Sequence, residues 1–313
     1  MMIVSKTPFR ISLCGGSTDS PSFIEKYGIG SVISFTPNIY TYVSIHRDVN
    51  GINNLDKKYF ISYSKNEVCE SSSSIKNELV RCVLEYFNCD AIKICLNSDV
   101  FSNGSGLASS SSYVIGLVSI VSKFCNKNLT DSEICNISFE IESKINRYNG
   151  YQDIWGCYYG GLKRITFEKN KDVKIEYLKE YIFNDFNFYL IYTGVKRRSS
   201  SVLCESDIDK SFDLLSNLEK CLRQFELENY GMFFKLLRES WAIKKFTNKK
   251  IVGSKKLKSM DLELENDDDI LYHKLCGAGG GGYFLVVSKR EKSFEMPFIK
   301  IDIESRNSRI FEI

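Results

Sequence analysis

Apolar and polar positions alternate with period two early in the chain. Phe9, Ile11 and Leu13 alternate with Arg10 and Ser12, and Ile92, Ile94 and Leu96 with Lys93 and Cys95; both patterns predict strands with one buried face. After Thr130 the spacing becomes helical: Ile134, Ile137, Ile141 and Ile145 form a stripe, and Thr130 with Glu133 makes a capping box. A helix is expected from there to about Asn149-Gly150. From Tyr113 to Cys125 the chain is apolar on nearly every side of a helix, which predicts burial. With Ser119, Ser122 and Lys123 inside it, the run falls short of the roughly 20 residues that cross a bilayer. Further strands fit LKRITF and FNFYLIY. Two helices follow, one presenting Ile208, Phe212, Leu215, Leu218, Leu222 and Phe225 on one face, the other around Phe233 to Trp241, before strand patterns return in YFLVVS and FIKIDI. Strands and helices mix without regular alternation, so an α+β fold is expected rather than a doubly wound parallel sheet. The polar stretch FEKNKDVK reads as a domain boundary or a hairpin turn.

Length and charge narrow the partners. A chain of 313 residues holds one large domain or, more naturally, two packed ones. Forty-two Lys and Arg against 39 Asp and Glu leave a formal charge of +3, too little for a nucleic-acid or acidic-membrane footprint. A small-molecule partner is expected. The 11 cysteines are scattered, with no C-x-x-C pair, and nothing at the N-terminus resembles a signal peptide; reduced thiols in a cytoplasmic protein are expected.

Three glycine-bearing segments carry the candidate chemistry. In NGSGLASSSSYVIG, residues 103–116, glycines that permit close backbone approach precede serines that open the buried helix. That arrangement suits a phosphate at a helix N-terminus, and equally a serine-capped core helix after a glycine turn. The segment ESSSSIKNELV, residues 70–80, has the serines without the glycines and fits the plain cap. Neither a Walker loop nor the dinucleotide G-x-G-x-x-G unit is present. KLCGAGGGGYFLVVS places Gly277 and Gly279 to Gly282 before an apolar strand, more glycine than one turn requires. KTPFRISLCGGSTDSP sets a strand before a Gly-Gly turn, with Thr18 and Asp19 in the following loop.

In this order the three segments resemble the motifs of the GHMP kinase family, over almost the whole chain from Lys6 to Gly282, and most nearly its branch of D-glycero-D-manno-heptose 7-phosphate kinases. The resemblance implies an N-terminal domain like the second domain of ribosomal protein S5 (residues 1–180) and a ferredoxin-like C-terminal domain (181–313), with ATP between them. It assigns Gly104, Ser105, Gly106, Leu107, Ala108, Ser109, Ser110 and Ser111 to the nucleotide phosphates, and Ser110 with Glu142 to Mg²⁺. Helical periodicity alone does not choose Glu142, because Glu140 lies equally far from the isoleucine stripe on its other side. Asp153, in GYQDIWG after the helix, matches the catalytic base, and Arg10 the family's first-motif cation. Ala108 replaces a glycine usual in the family, a change that fits if its backbone φ is negative.

The acceptor assignments follow from the same resemblance. Asp19, Thr18, Gly16, Gly279 and Gly280 are placed at the substrate. Gly16 stands where galactokinase-like relatives carry a glutamate, which suits an anionic acceptor. In TGVKRRSSSVL, Lys196, Arg197 and Arg198 offer a basic cluster, with Arg197 placed on a distal phosphate. The implied reaction is phosphorylation of the anomeric hydroxyl of heptose 7-phosphate. Another sugar, such as a fucose- or galactose-like acceptor, and a ligand sensor without turnover are the other readings.

Overall fold

The computed structural model describes residues 2–46, 58–101, 104–170, 172–195 and 209–313. Within them the chain builds three sheets. The first has six strands in the order β14 (Arg309–Glu312), β1 (Met2–Pro8), β4 (Tyr40–His46), β7 (Lys93–Ser98), β5 (Tyr59–Ser62) and β6 (Asn66–Cys69). All neighbours are antiparallel except β5 and β7. Its period-two face, including Ile3, Val43, Ile45 and Ile94, is buried under helices α2 (Glu78–Phe87), α3 (Ser109–Phe124), α4 (Asp131–Ile145) and α5 (Tyr151–Tyr158).

The second sheet runs β2 (Ile11–Cys14), β3 (Ile29–Phe35), β8 (Leu162–Glu168) and β9 (Val173–Tyr177), with α1 (Pro21–Tyr27) between β2 and β3. It is buried on both faces: Val32, Ile165 and Phe167 enter the first core, while Ile11, Ile33, Phe35 and Leu162 enter a second. The stretch FEKNKDVK is the β8–β9 hairpin turn, closed by Glu168 N–H donating to the Asp172 carbonyl at 3.0 Å.

The second core continues into the third sheet, ordered β11 (Ile270–Leu275), β12 (Tyr283–Ser288), β10 (Asn187–Tyr192) and β13 (Phe298–Ile301). The short α6 (Ile182–Asp185) leads into β10, and α7 (Phe212–Glu226), α8 (Tyr230–Thr247) and α9 (Lys255–Glu265) supply buried residues to this core. The α+β expectation holds. β14 returns to the edge of the first sheet, so the last residues of the chain complete the sheet that its first residues begin.

Two predicted elements end differently. The alternation at 9–13 spans a crossing, because β1 stops at Pro8 and β2 starts at Ile11. Phe9 and Arg10 bridge the two sheets, with Arg10 N–H donating to the Leu107 carbonyl at 3.2 Å. The Thr130 helix keeps its capping box but ends at Ile145, short of Asn149-Gly150. Gly150 instead precedes α5, so Asp153 lies in the first turn of a helix. The described cysteines are all free, and among the described residues no helix is long and apolar enough to cross a membrane.

Candidate active site

The start of α3 forms one wall of a cleft. Val114, Ile115, Leu117, Val118, Ile120 and Val121 are all buried, which anchors the helix and aims its N-terminus at Ser109 to Ser111, Gly104 and Gly106 on the cleft surface. The N-cap residue is Ala108, whose side chain makes no cap hydrogen bond, so the positive end of the helix faces the cleft. By contrast, the control serines at 72–74 form an exposed 3₁₀ turn, and Asn77 caps α2 through Val80 N–H. Leu107 is buried behind the loop.

The third glycine segment supports that loop. Gly106 has φ 80°, and a Cβ there would lie 2.4 Å from the Cys276 carbonyl oxygen. At Gly282 a Cβ would meet the Ser105 carbonyl oxygen at 2.2 Å, where Tyr283 N–H donates to that same oxygen at 3.1 Å. Backbone thus packs on backbone at separations only glycine allows. Gly277 and Ala278 line the cleft. Gly279 and Gly280 turn toward Ile251, with Gly280 N–H donating to its carbonyl at 2.7 Å.

Ala108 corrects an expectation. Its φ is 61° and ψ 43°, the left-handed region, so the condition of negative φ fails. The Cβ costs a non-glycine residue roughly 1–2 kcal/mol there, part of which glycine's extra unfolded-state entropy offsets. Ala108→Gly is therefore expected to stabilise the fold by about 0.5–1 kcal/mol and to tighten nucleotide binding. Thermal unfolding with and without nucleotide checks this; superimposable curves for the two proteins would show that position 108 stores no strain.

Arg10 and Asp153 meet at the centre of the cleft. Arg10, 3% exposed, donates from Nε and Nη2 to Asp153 Oδ1 at 3.0 and 2.7 Å, and from Nη1 to the Gly106 carbonyl at 2.9 Å. Burial works against its charge, but Asp153, helped by the Cys157 and Cys276 thiols, outweighs it and holds the guanidinium above its ordinary pKa. One side chain therefore ties the Gly104–Ser111 loop to the carboxylate.

Glu142 lies beneath the α3 start. It is 4% exposed, and its Oε2 accepts from Ser111 Oγ at 2.7 Å and Asn149 Nδ2 at 2.9 Å. Burial pushes its pKa up to about 7, opposed by the Ser111 hydroxyl and raised further by the Asp153 charge; Ser110 and Asn149 pull it down. Glu140 instead faces solvent and pairs with Lys144 at 2.8 Å.

At the other end, Asp19 is 3% exposed and lines the cleft. Its oxygens accept from Ser17 N–H at 3.0 Å, Gln152 N–H at 3.2 Å and Gln152 Nε2 at 3.0 Å. Burial raises its pKa and nearby Asp153 adds to the rise, while the two backbone N–H groups and Lys244 oppose it. Thr18 turns away from the cleft, its hydroxyl 2.8 Å from the Gly15 carbonyl oxygen and 2.9 Å from that of Ser31, sharing its one proton between them. Gly16 leaves room beside the buried Ser12 Oγ and Gln152 Oε1, neither of which has a hydrogen-bond partner among the described residues. Lys196, Arg197 and Arg198 lie outside the described residues.

Four lining residues escaped the sequence reading because they come from distant elements: Trp241 and Lys244 on α8, and Tyr272 and Lys274 on β11. Lys244 Nζ donates to Ser17 Oγ and to the Gly16 carbonyl, crossing the cleft between the two halves of the chain.

The fold is that of the GHMP kinases. Residues 74–161 match the family described as GHMP kinases N terminal domain, a family whose members use ATP as phosphate donor. Over 319 aligned residues it is 25% identical to D-glycero-alpha-D-manno-heptose 7-phosphate kinase of Campylobacter jejuni, covering 94% of this chain and 91% of that one. It is 26% identical to mevalonate kinase of Methanocaldococcus jannaschii over 259 residues, 81% and 77% of the two chains. Among solved structures, a D-glycero-D-manno-heptose 1-phosphate kinase from Bacteroides thetaiotaomicron superposes with TM-score 0.77 at 19% identity, covering 99% of each chain.

Proposed function

We propose that the protein transfers the terminal phosphoryl group of ATP to the anomeric hydroxyl of a heptose phosphate, D-glycero-D-manno-heptose 7-phosphate giving the 1,7-bisphosphate. The observation that carries this reading is the Arg10–Asp153 pair, fixed between the phosphate loop and the polar pocket of Asp19, Gln152 and Ser12. Gly104 to Ser111 fit nucleotide phosphates because the N-cap of α3 is an alanine that makes no cap hydrogen bond and a Cβ at Gly106 would break the loop's packing. Ser110, Ser111 and Glu142 fit Mg²⁺ because they are hard oxygen donors and a dication would offset the cost of burying the Glu142 charge. When bound, Mg²⁺ neutralises charge on the phosphates. Asp153 takes the proton of the attacking hydroxyl, and Arg10 holds that carboxylate in line with the loop.

The acceptor class is supported by groups that want a hydroxyl-rich, anionic ligand. Ser12 Oγ and Gln152 Oε1 are buried polar atoms that sugar hydroxyls would satisfy. Lys244 stands at the Gly16–Ser17 end, away from the phosphate loop, where it would meet an acidic substituent. Coupled ADP release with heptose 7-phosphate, heptose 1-phosphate, unphosphorylated heptose, fucose and galactose tests the reading. Heptose 7-phosphate is expected to turn over best. Lys244→Met should raise its KM roughly 10-fold or more while the KM for ATP stays level. Equal turnover of heptose and its 7-phosphate would remove the phosphate from the assignment, and no turnover of any sugar would favour a sensor.

A further inference from the structure

We propose that Lys274 is a catalytic residue, whose ammonium meets the negative charge on the peripheral oxygens of the phosphoryl group while it passes from nucleotide to acceptor. The proposal rests on the kinase class and is independent of which sugar is the acceptor. Lys274 lies near the end of β11, two residues before Cys276, the residue that closes on Gly106 in the phosphate loop. It lines the cleft alongside Arg10 and Gly106 and is only 8% exposed.

Its partners within the chain are poor. Among the described residues, the one hydrogen bond its Nζ makes is to the Leu13 carbonyl at 3.5 Å, and that oxygen already accepts from Tyr272 Oη at 2.7 Å. A buried ammonium so weakly bonded is costly unless a ligand supplies acceptors. Burial lowers its pKa to about 8; the Cys276 and Cys14 thiols oppose this, and the Arg10 charge adds to it. Tyr272, the other titratable group beside it, is held neutral by burial well above its ordinary range. Lys163 makes the comparison: it is more deeply buried still, but it donates to the Gly161 carbonyl at 3.1 Å and lies outside the cleft lining.

Arg10 is less suited to the same task, since Nε, Nη1 and Nη2 are already engaged by Asp153 and the Gly106 carbonyl. The two cations then divide the work. As the acceptor oxygen bonds to phosphorus, its proton goes to Asp153, and the bridging oxygen leaves on the nucleoside diphosphate with the electron pair. Arg10 positions the base and the loop, and Lys274 meets the charge in transit.

The test combines variants with a titration of the parent protein. Lys274→Met should lower kcat roughly 10²-fold with little change in KM for ATP, and its ligand-free melting temperature should equal or exceed the parent's because a buried charge is gone. Lys274→Arg should recover part of the turnover and move the alkaline limb of kcat to higher pH. Independently of turnover, the lysine Cε resonance that Lys274→Met removes should titrate near 8 in the ligand-free protein, and adding MgADP with aluminium fluoride should raise its midpoint. Parental kcat in Lys274→Met, or a midpoint unmoved by the phosphoryl mimic, would overturn the proposal; if the methionine variant does not fold, the resonance is assigned through Lys274→Arg and the titration decides. If every sugar in the acceptor panel failed, the heptose reading would fall and the titration with the phosphoryl mimic would decide on Lys274, because it needs no acceptor.

Discussion

Asp153→Asn is expected to bind nucleotide as the parent does and to turn over roughly 10²–10⁴-fold more slowly, the range for loss of a general base. Asparagine keeps an oxygen where Oδ1 now accepts from Arg10 Nε and Nη2, so the guanidinium should stay in place and hold the phosphate loop through Gly106. What is lost is the negative charge and the capacity to take a proton. The charge matters for stability as well: Arg10 is buried, and it owes its raised pKa to Asp153 against the pull of burial. The variant should therefore melt below the parent, since a buried cation left without its counter-charge is destabilising. Turnover has to be compared well below both melting temperatures. Single-turnover rates with calorimetric nucleotide affinities separate the two effects; near-parental rates would take Asp153 out of the proton transfer and leave it as the anchor of Arg10.

What could be read from the sequence follows the range of the interactions involved. Local periodicity located α3, because apolar residues on every face leave a helix nowhere but the interior, and the Thr130 capping box located the start of α4. It misjudged α4's inner face. The buried positions are Ile134, Cys135, Ser138, Ile141 and Glu142, while Ile145 is exposed. Small Cys135 and Ser138, three apart, mark where α4 lies close to its neighbour, and Glu142 continues that row by one turn. Reading the small residues as well as the isoleucines would have separated Glu142 from Glu140. The helix that carries Asp153 gives no sequence signal of its own, because eight residues hold too few turns to show a period. The wall made by Trp241, Lys244, Tyr272 and Lys274 depends on how the third sheet and α8 sit against β2, a long-range arrangement that no local pattern encodes. The resemblance places Thr18 at the substrate beside Asp19, yet adjacent residues in a turn point different ways, and its hydroxyl fastens the turn to β3.

Glu142→Gln is expected to move stability and activity in opposite directions. In the protein without metal, the Glu142 carboxyl has its pKa raised from 4.5 to about 7, chiefly by burial. A group whose folded pKa lies above its unfolded one contributes full stability below the unfolded value and loses it as pH rises through the folded value. The metal-free parent should thus lose up to about 3 kcal/mol from this group between pH 4.5 and about 7. Glutamine resembles the protonated carboxyl, so the variant should lack that part of the pH dependence and, at pH 8 without metal, unfold at higher denaturant than the parent. Turnover should fall, because an amide oxygen is a weaker ligand for a hard dication than a carboxylate, and raising Mg²⁺ should restore part of it. Glu140→Gln removes an exposed i,i+4 partner of Lys144 and should change neither property by much. The decisive measurement is denaturant unfolding of parent and variant at pH 5 and pH 8, with EDTA and with Mg²⁺ plus a non-hydrolysable ATP analogue. In the parent, metal and nucleotide should recover at pH 8 the stability that ionisation of Glu142 costs, whereas the variant should gain far less from them. Equal gains in the two proteins would mean that Glu142 is not a metal ligand and that its buried carboxyl serves only to bind Ser111 and Asn149.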